Sequence, residues 1–118
     1  MNLLRILLVI SVFQLQAQKT IDPNYFSNPL DIPMILSGSF GELRNNHFHS
    51  GLDIKTQQKS GVPIYAPADG YVSRIKVGHY GYGKALYIKH SNGYSTVYAH
   101  LQKFETTIQD FVKQSQYK

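Results

Sequence analysis

Asn92-Gly93 stands between two runs rich in strand-forming residues, Lys84 to His90 and Tyr94 to His100. No other feature constrains the fold as much, because Asn-Gly readily supplies the left-handed backbone that a two-residue hairpin loop needs. With those two residues as the loop, Ser91 is expected opposite Tyr94, Ile88 opposite Val97, and Ala85 opposite His100. Strand alternation then puts Leu86, Ile88, Val97 and Ala99 on one apolar face, suited to a core, with His90 on the same face near the turn. Tyr87, Lys89, Thr96, Tyr98 and His100 fall on the other face. A three-residue loop would change this sorting.

The same punctuation runs through most of the chain. Met34 to Phe40, Gly51 to Ile54, Pro63 to Tyr65 and Gly70 to Val77 are further short β-like runs separated by Gly, Asn and Pro. Their spacing predicts a mainly β protein built on a small antiparallel sheet. Residues 18–33 carry Pro23, Pro29 and Pro33 and read as an extended lead-in. Gly78 to Gly83 holds three glycines and two tyrosines, a loop able to approach a ligand closely. Near the end, Ile108, Phe111 and Val112 recur at helical spacing, so Thr107 to Tyr117 is predicted to be a short helix, with Thr107 and Asp110 as a capping box.

The first residues read as a removable leader. Arg5 precedes an apolar run from Ile6 to Phe13, after which Gln14-Leu15-Gln16-Ala17 turns polar and ends on a small residue. This is the order of a secretory signal, and the run is too short to span a bilayer. Residues 1–17 are therefore assigned to a signal helix, which places the protein in the secreted, periplasmic or cell-envelope fraction of a bacterium. The absence of cysteine excludes disulfides, thiolate metal sites and a lipid anchor on a cleavage-point cysteine. A metal must then be held by His and carboxylate. Twelve Lys and Arg against seven Asp and Glu suit an anionic polymer, and no nucleic-acid-binding motif accompanies them.

Such donors occur together in Asn46-His47-Phe48-His49-Ser50-Gly51-Leu52-Asp53. His49 and Asp53 are four positions apart with a glycine between them that permits a turn. A neutral imidazole and a carboxylate are ligands that Zn²⁺ accepts without thiolates. Taken alone, this spacing is common by chance. His79 and His90 read as structural or solvated histidines.

The surrounding text is more specific. Phe40-Gly41-Glu42-Leu43-Arg44, His49-Ser50-Gly51-Leu52-Asp53-Ile54, Gly61 to Val72, Gly81-Tyr82-Gly83 and Tyr98-Ala99-His100-Leu101 occur in the order of the lysostaphin/LytM-type zinc endopeptidases, which act on bacterial cell walls. The resemblance runs from Ser37 to Leu101. It implies a duplicated hybrid motif, or barrel-sandwich-like fold, with residues 34–118 forming the N-terminal part of a peptidase domain. It also implies Zn²⁺ as cofactor and peptidoglycan peptides as substrate. His49 and Asp53 match the first two zinc ligands, and His100 matches a catalytic histidine that polarises the scissile carbonyl or stabilises its oxyanion. Tyr87 or Tyr98 is expected beside it as a substrate-binding group. His47 matches no ligand.

The family pattern continues with a His-x-His pair that holds the third ligand and the usual general base. No histidine follows His100 in this chain, so the third ligand is absent and the chain as it stands is expected to be inactive. A second reading is a non-catalytic relative that binds cell wall or regulates amidases with the same fold. Gly61 to Val72 also resembles biotinyl/lipoyl carrier domains, but the Asn92-Gly93 tip offers no lysine for attachment.

Overall fold

The computed structural model describes residues 22–116. The proposed signal segment, residues 1–17, lies outside that range. Among the described residues no helix is long and apolar enough to cross a membrane.

Five strands and one helix follow in the order β1 (Leu36–Gly38), β2 (Asp53–Ile54), β3 (Gly70–Lys76), β4 (Ala85–His90), β5 (Ser95–Tyr98) and α1 (Thr106–Gln116). The protein is mainly β, as its sequence implied. β1 and β2 form one antiparallel pair, and β3, β4 and β5 form a three-stranded antiparallel sheet in that order. Pro63 to Tyr65 is not a strand. Its Tyr65 N–H instead donates to the Pro29 carbonyl at 2.9 Å, so the segment binds the lead-in.

The β4–β5 hairpin forms, but in a register shifted by one residue from the expected one. Ile88 lies opposite Thr96, and Leu86 opposite Tyr98. His90 N–H donates to the Tyr94 carbonyl at 2.9 Å, which makes Ser91, Asn92 and Gly93 a three-residue loop. Gly93 takes the left-handed conformation, with φ of 90°. A one-residue slip exchanges faces on one of the two strands. Leu86, Ile88 and His90 therefore share the inner face with Thr96 and Tyr98, while Val97, expected in the core, is 46% exposed. Tyr87 and Tyr98, expected on one face, stand on opposite faces.

The buried apolar residues among those described are Leu30, Ala85, Ile88 and Phe104. His90 joins them, and its imidazole is fully used. Nδ1 lies 2.9 Å from the Asp69 carbonyl, which only accepts, so Nδ1 carries the proton and donates. Nε2 then accepts from the Thr96 hydroxyl at 2.9 Å, and the Tyr98 hydroxyl donates to Thr96 Oγ1 at 2.9 Å. Burial pushes the Tyr98 phenol above its usual pKa of 10.0, against a smaller opposing effect of the Thr96 bond. Tyr25 and Phe26 of the lead-in set their rings edge-on to His90, at 6.4 and 5.1 Å. The lead-in is thus a packed strap over the turn end of the hairpin, pinned further by Ser27, whose N–H and hydroxyl both donate to the Pro67 carbonyl.

Helix α1 starts one residue earlier than expected and uses a different cap. The Glu105 carboxylate accepts the Thr107 N–H at 2.9 Å and the Ile108 N–H at 3.4 Å. Thr107 donates its hydroxyl to Glu105 and forms no capping box with Asp110. A carboxylate satisfies the free N–H groups of a first turn and complements their positive end.

Candidate metal centre

The site is built on a small hairpin that precedes β2. Arg44 N–H donates to the His47 carbonyl at 2.9 Å, leaving Asn45-Asn46 as a two-residue tip. Leu43 pairs with Phe48, and the His49 N–H donates to the Glu42 carbonyl at 2.8 Å. His49 stands at the base of this hairpin. The chain then bends at Gly51 and enters β2 at Asp53. The bend needs no left-handed backbone at Gly51; that conformation falls on Gly41, where the hairpin begins, with φ of 78°.

His49 and Asp53 meet. His49 Nε2 is 3.2 Å from Asp53 Oδ1. The other ring nitrogen, Nδ1, is 3.0 Å from the Ser39 carbonyl and donates to it. A neutral His49 therefore turns the Nε2 lone pair toward a carboxylate oxygen. Two acceptors facing each other at this distance require something positive, a proton or a cation, to hold them. Zinc bonds of 2.0–2.2 Å in a tetrahedral arrangement set neighbouring ligand atoms roughly 3.3–3.5 Å apart, close to the separation seen here. The donors are one imidazole nitrogen and one carboxylate oxygen, with the imidazole tautomer fixed by a backbone carbonyl as in metal-ligating histidines generally. The pair fits Zn²⁺ in chemistry and in spacing.

The second oxygen of Asp53 is taken. Arg44 Nη2 donates to Asp53 Oδ2 at 2.7 Å and also to Glu42 Oε2 at 3.2 Å. Glu42 Oε2 in turn accepts the Ser39 N–H at 3.3 Å.

His100 does not join His49 and Asp53 as a third member. Among the described residues there is no group of three or more His, Cys, Asp or Glu side chains able to hold a metal. His100 lies just past β5, exposed, with a left-handed φ of 57°. Its link to the pair runs through Tyr82, in the Gly78–Gly83 loop. The Tyr82 hydroxyl is 2.8 Å from the Ser50 hydroxyl, between the two candidate ligands, and the Tyr82 carbonyl accepts the His100 N–H at 3.0 Å. Sequence reasoning passed over Tyr82 as an individual residue; the signal was an aromatic inside a glycine-rich loop. It also passed over Glu42 and Arg44 as working groups, though both lie within the quoted Phe40–Arg44 block.

The other expected residues have different places. Tyr98 spends its hydroxyl inside the sheet on Thr96. Tyr87 is half-buried on the opposite face, with the Arg74 guanidinium 5.2 Å from its ring centroid. His47 is exposed and bonds Asn46.

Residues 47–117 match the model of Peptidase family M23. Three curated proteins illustrate the likeness. DD-carboxypeptidase/endopeptidase Mpg of Neisseria meningitidis is 45% identical over 56 residues, 48% of this chain and 12% of its own length. An uncharacterized metalloprotease of Haemophilus influenzae is 40% identical over 55 residues, 47% of this chain and 11% of its own. Peptidoglycan DD-endopeptidase ShyC of Vibrio cholerae is 41% identical over 56 residues, 48% of this chain and 13% of its own. The matched stretch is thus a small part of each relative. No solved structure matches the chain significantly.

Proposed function

The chain belongs to peptidase family M23, and from that premise we propose that it carries part of the active site of an exported zinc metalloendopeptidase that cleaves peptide bonds of peptidoglycan. The observation that carries the proposal is the His49 Nε2–Asp53 Oδ1 pair, held acceptor to acceptor at 3.2 Å. The name of the similar protein from Vibrio, a peptidoglycan DD-endopeptidase, points to the same substrate, and that of the one from Neisseria to endopeptidase activity.

In this reading His49 and Asp53 are two of the zinc ligands. Zinc held there would lower the pKa of a water to about 7 and polarise a peptide carbonyl. The remaining work falls to the protein. The Ser39 carbonyl fixes the His49 tautomer, so that Nε2 keeps its lone pair for the metal. Tyr82 ties the backbone of His100, just past the end of β5, to the ligand-bearing bend. His100 is assigned the role of donating a hydrogen bond to the carbonyl oxygen of the substrate, where charge builds up as the carbonyl carbon is attacked. A chain with two such ligands holds zinc weakly, so full activity needs a third from outside residues 22–116. The leader-like residues 1–17 supply export to the envelope, where the substrate is.

The test is digestion of purified peptidoglycan by the natural gene product that carries this chain, with release of soluble peptides followed by mass spectrometry. Hydrolysis should stop with a chelator, return with Zn²⁺, and be lost in His49→Ala. Hydrolysis indifferent to both would refute the proposal.

A further inference from the structure

Asp53 engages two different partners with its two oxygens, and its neighbours dictate which oxygen goes where. Oδ1 faces His49, while Oδ2 receives Arg44. Glu42 Oε2 is 3.2 Å from the same Arg44 nitrogen. Two carboxylates thus share one guanidinium, and the trio keeps one net negative charge. A cation held by Oδ1 therefore still meets an anionic site despite the arginine behind it. The Arg44 Nε atom is buried without a hydrogen-bond partner, so the guanidinium is held by its Nη2 end.

This arrangement needs a residue without a side chain at position 38. Gly38 is buried in β1 and pairs with Asp53 across to β2. A Cβ there would lie 2.5 Å from Arg44 Nη2 and 2.5 Å from Asp53 Oδ2. These two atoms are the ends of flexible side chains, so an alanine displaces the ion pair and leaves the strand backbone in place.

We propose that Gly38, Glu42 and Arg44 form a carboxylate clamp: it commits Asp53 Oδ2 to Arg44 and so presents Oδ1 alone to the metal, making Asp53 a monodentate ligand. This inference rests on the assignment of His49 and Asp53 as ligands and adds to it three positioning residues that touch neither metal nor substrate. Partners behind a metal ligand typically change metal affinity by about 10–100-fold when removed. The clamp also acts on geometry: without Arg44, Oδ2 is free to turn to the same ion.

The experiment uses the whole chain and Zn²⁺ alone. Zinc affinity is measured by competition with a chromophoric chelator for wild type, Gly38→Ala, Arg44→Gln, Arg44→Lys and His49→Ala. Infrared difference spectra, zinc-loaded minus zinc-free, are recorded on ¹³C-aspartate-labelled protein, where the splitting between the two carboxylate stretches separates monodentate from bidentate binding. Gly38→Ala and Arg44→Gln should each narrow the carboxylate splitting and change zinc affinity by about 10-fold or more. Arg44→Lys, which restores one donor to Oδ2, should recover part of both. A merely structural role for these residues would lower thermal stability without moving the splitting, and that result overturns the clamp. Unchanged affinity and splitting in Gly38→Ala and Arg44→Gln overturn it too, while loss of zinc in His49→Ala leaves the ligand assignment standing. Zinc affinity unaltered by His49→Ala overturns the ligand assignment, and the clamp with it.

Discussion

Replacing Thr96 by Val tests the inner-face network at its centre. The substitution nearly conserves shape and removes a hydroxyl that does two things: it donates to His90 Nε2 and accepts from the Tyr98 hydroxyl, each at 2.9 Å. Each hydrogen bond contributes about 0.5–1.5 kcal/mol net, and stranding a buried polar atom costs about 1–3 kcal/mol. The Tyr98 hydroxyl sits on a half-buried side chain and finds water. His90 is only 3% exposed, so its Nε2 is stranded. The loss should come to about 2–4 kcal/mol, on the order of 10 °C or more in Tm for a domain of this size. Urea and thermal unfolding of the wild type, Thr96→Val, Tyr98→Phe and the double variant give the coupling between the two side chains, expected at about 0.5–1.5 kcal/mol. If Thr96→Val costs under about 0.5 kcal/mol, as a surface substitution does, the network and the shifted hairpin register are both wrong.

Gly70→Ala should be destabilising by about 1–3 kcal/mol, as overpacking is, because a Cβ there would lie 2.5 Å from the Lys89 carbonyl, a backbone atom that cannot turn aside; chemical denaturation checks this. The raised pKa of Tyr98 favours its neutral phenol in the folded state. Its contribution to stability is therefore complete below the ordinary value of 10.0 and falls away as pH rises through the higher folded value. Unfolding free energies measured across the alkaline range should show this decline in wild type and a shallower one in Tyr98→Phe. Glu105→Ala should cost about 0.5–1 kcal/mol by uncapping α1, read as lost helicity in circular dichroism, whereas Asp110→Ala should cost less.

Much of this was legible from local signals. Asn92-Gly93 marked the hairpin, and alternation marked its strands. The register was not legible, because Asn-Gly also fits a loop of three with the glycine last, and only pairing across the sheet decides between the two. In the three-residue register the His90 ring also meets Thr96, which the two-residue register would place on the other face. The same slip moved Tyr98 from the expected substrate face into the sheet. The His49–Asp53 pair could be read from its spacing and from the family blocks around it. The clamp behind it could not, because Gly38 and Asp53 become neighbours only when β1 pairs with β2. Tyr82 was hidden for a like reason, its links to Ser50 and His100 lying 32 and 18 positions away.

The proposed function rests on His49 and Asp53 holding one metal ion between them. Crystals of the chain grown with Zn²⁺ and measured on both sides of the zinc absorption edge test it most directly. An anomalous peak is expected about 2.0–2.2 Å from both His49 Nε2 and Asp53 Oδ1, with Asp53 Oδ2 still on Arg44. A zinc peak elsewhere, with His49 and Asp53 still in direct contact, would contradict it.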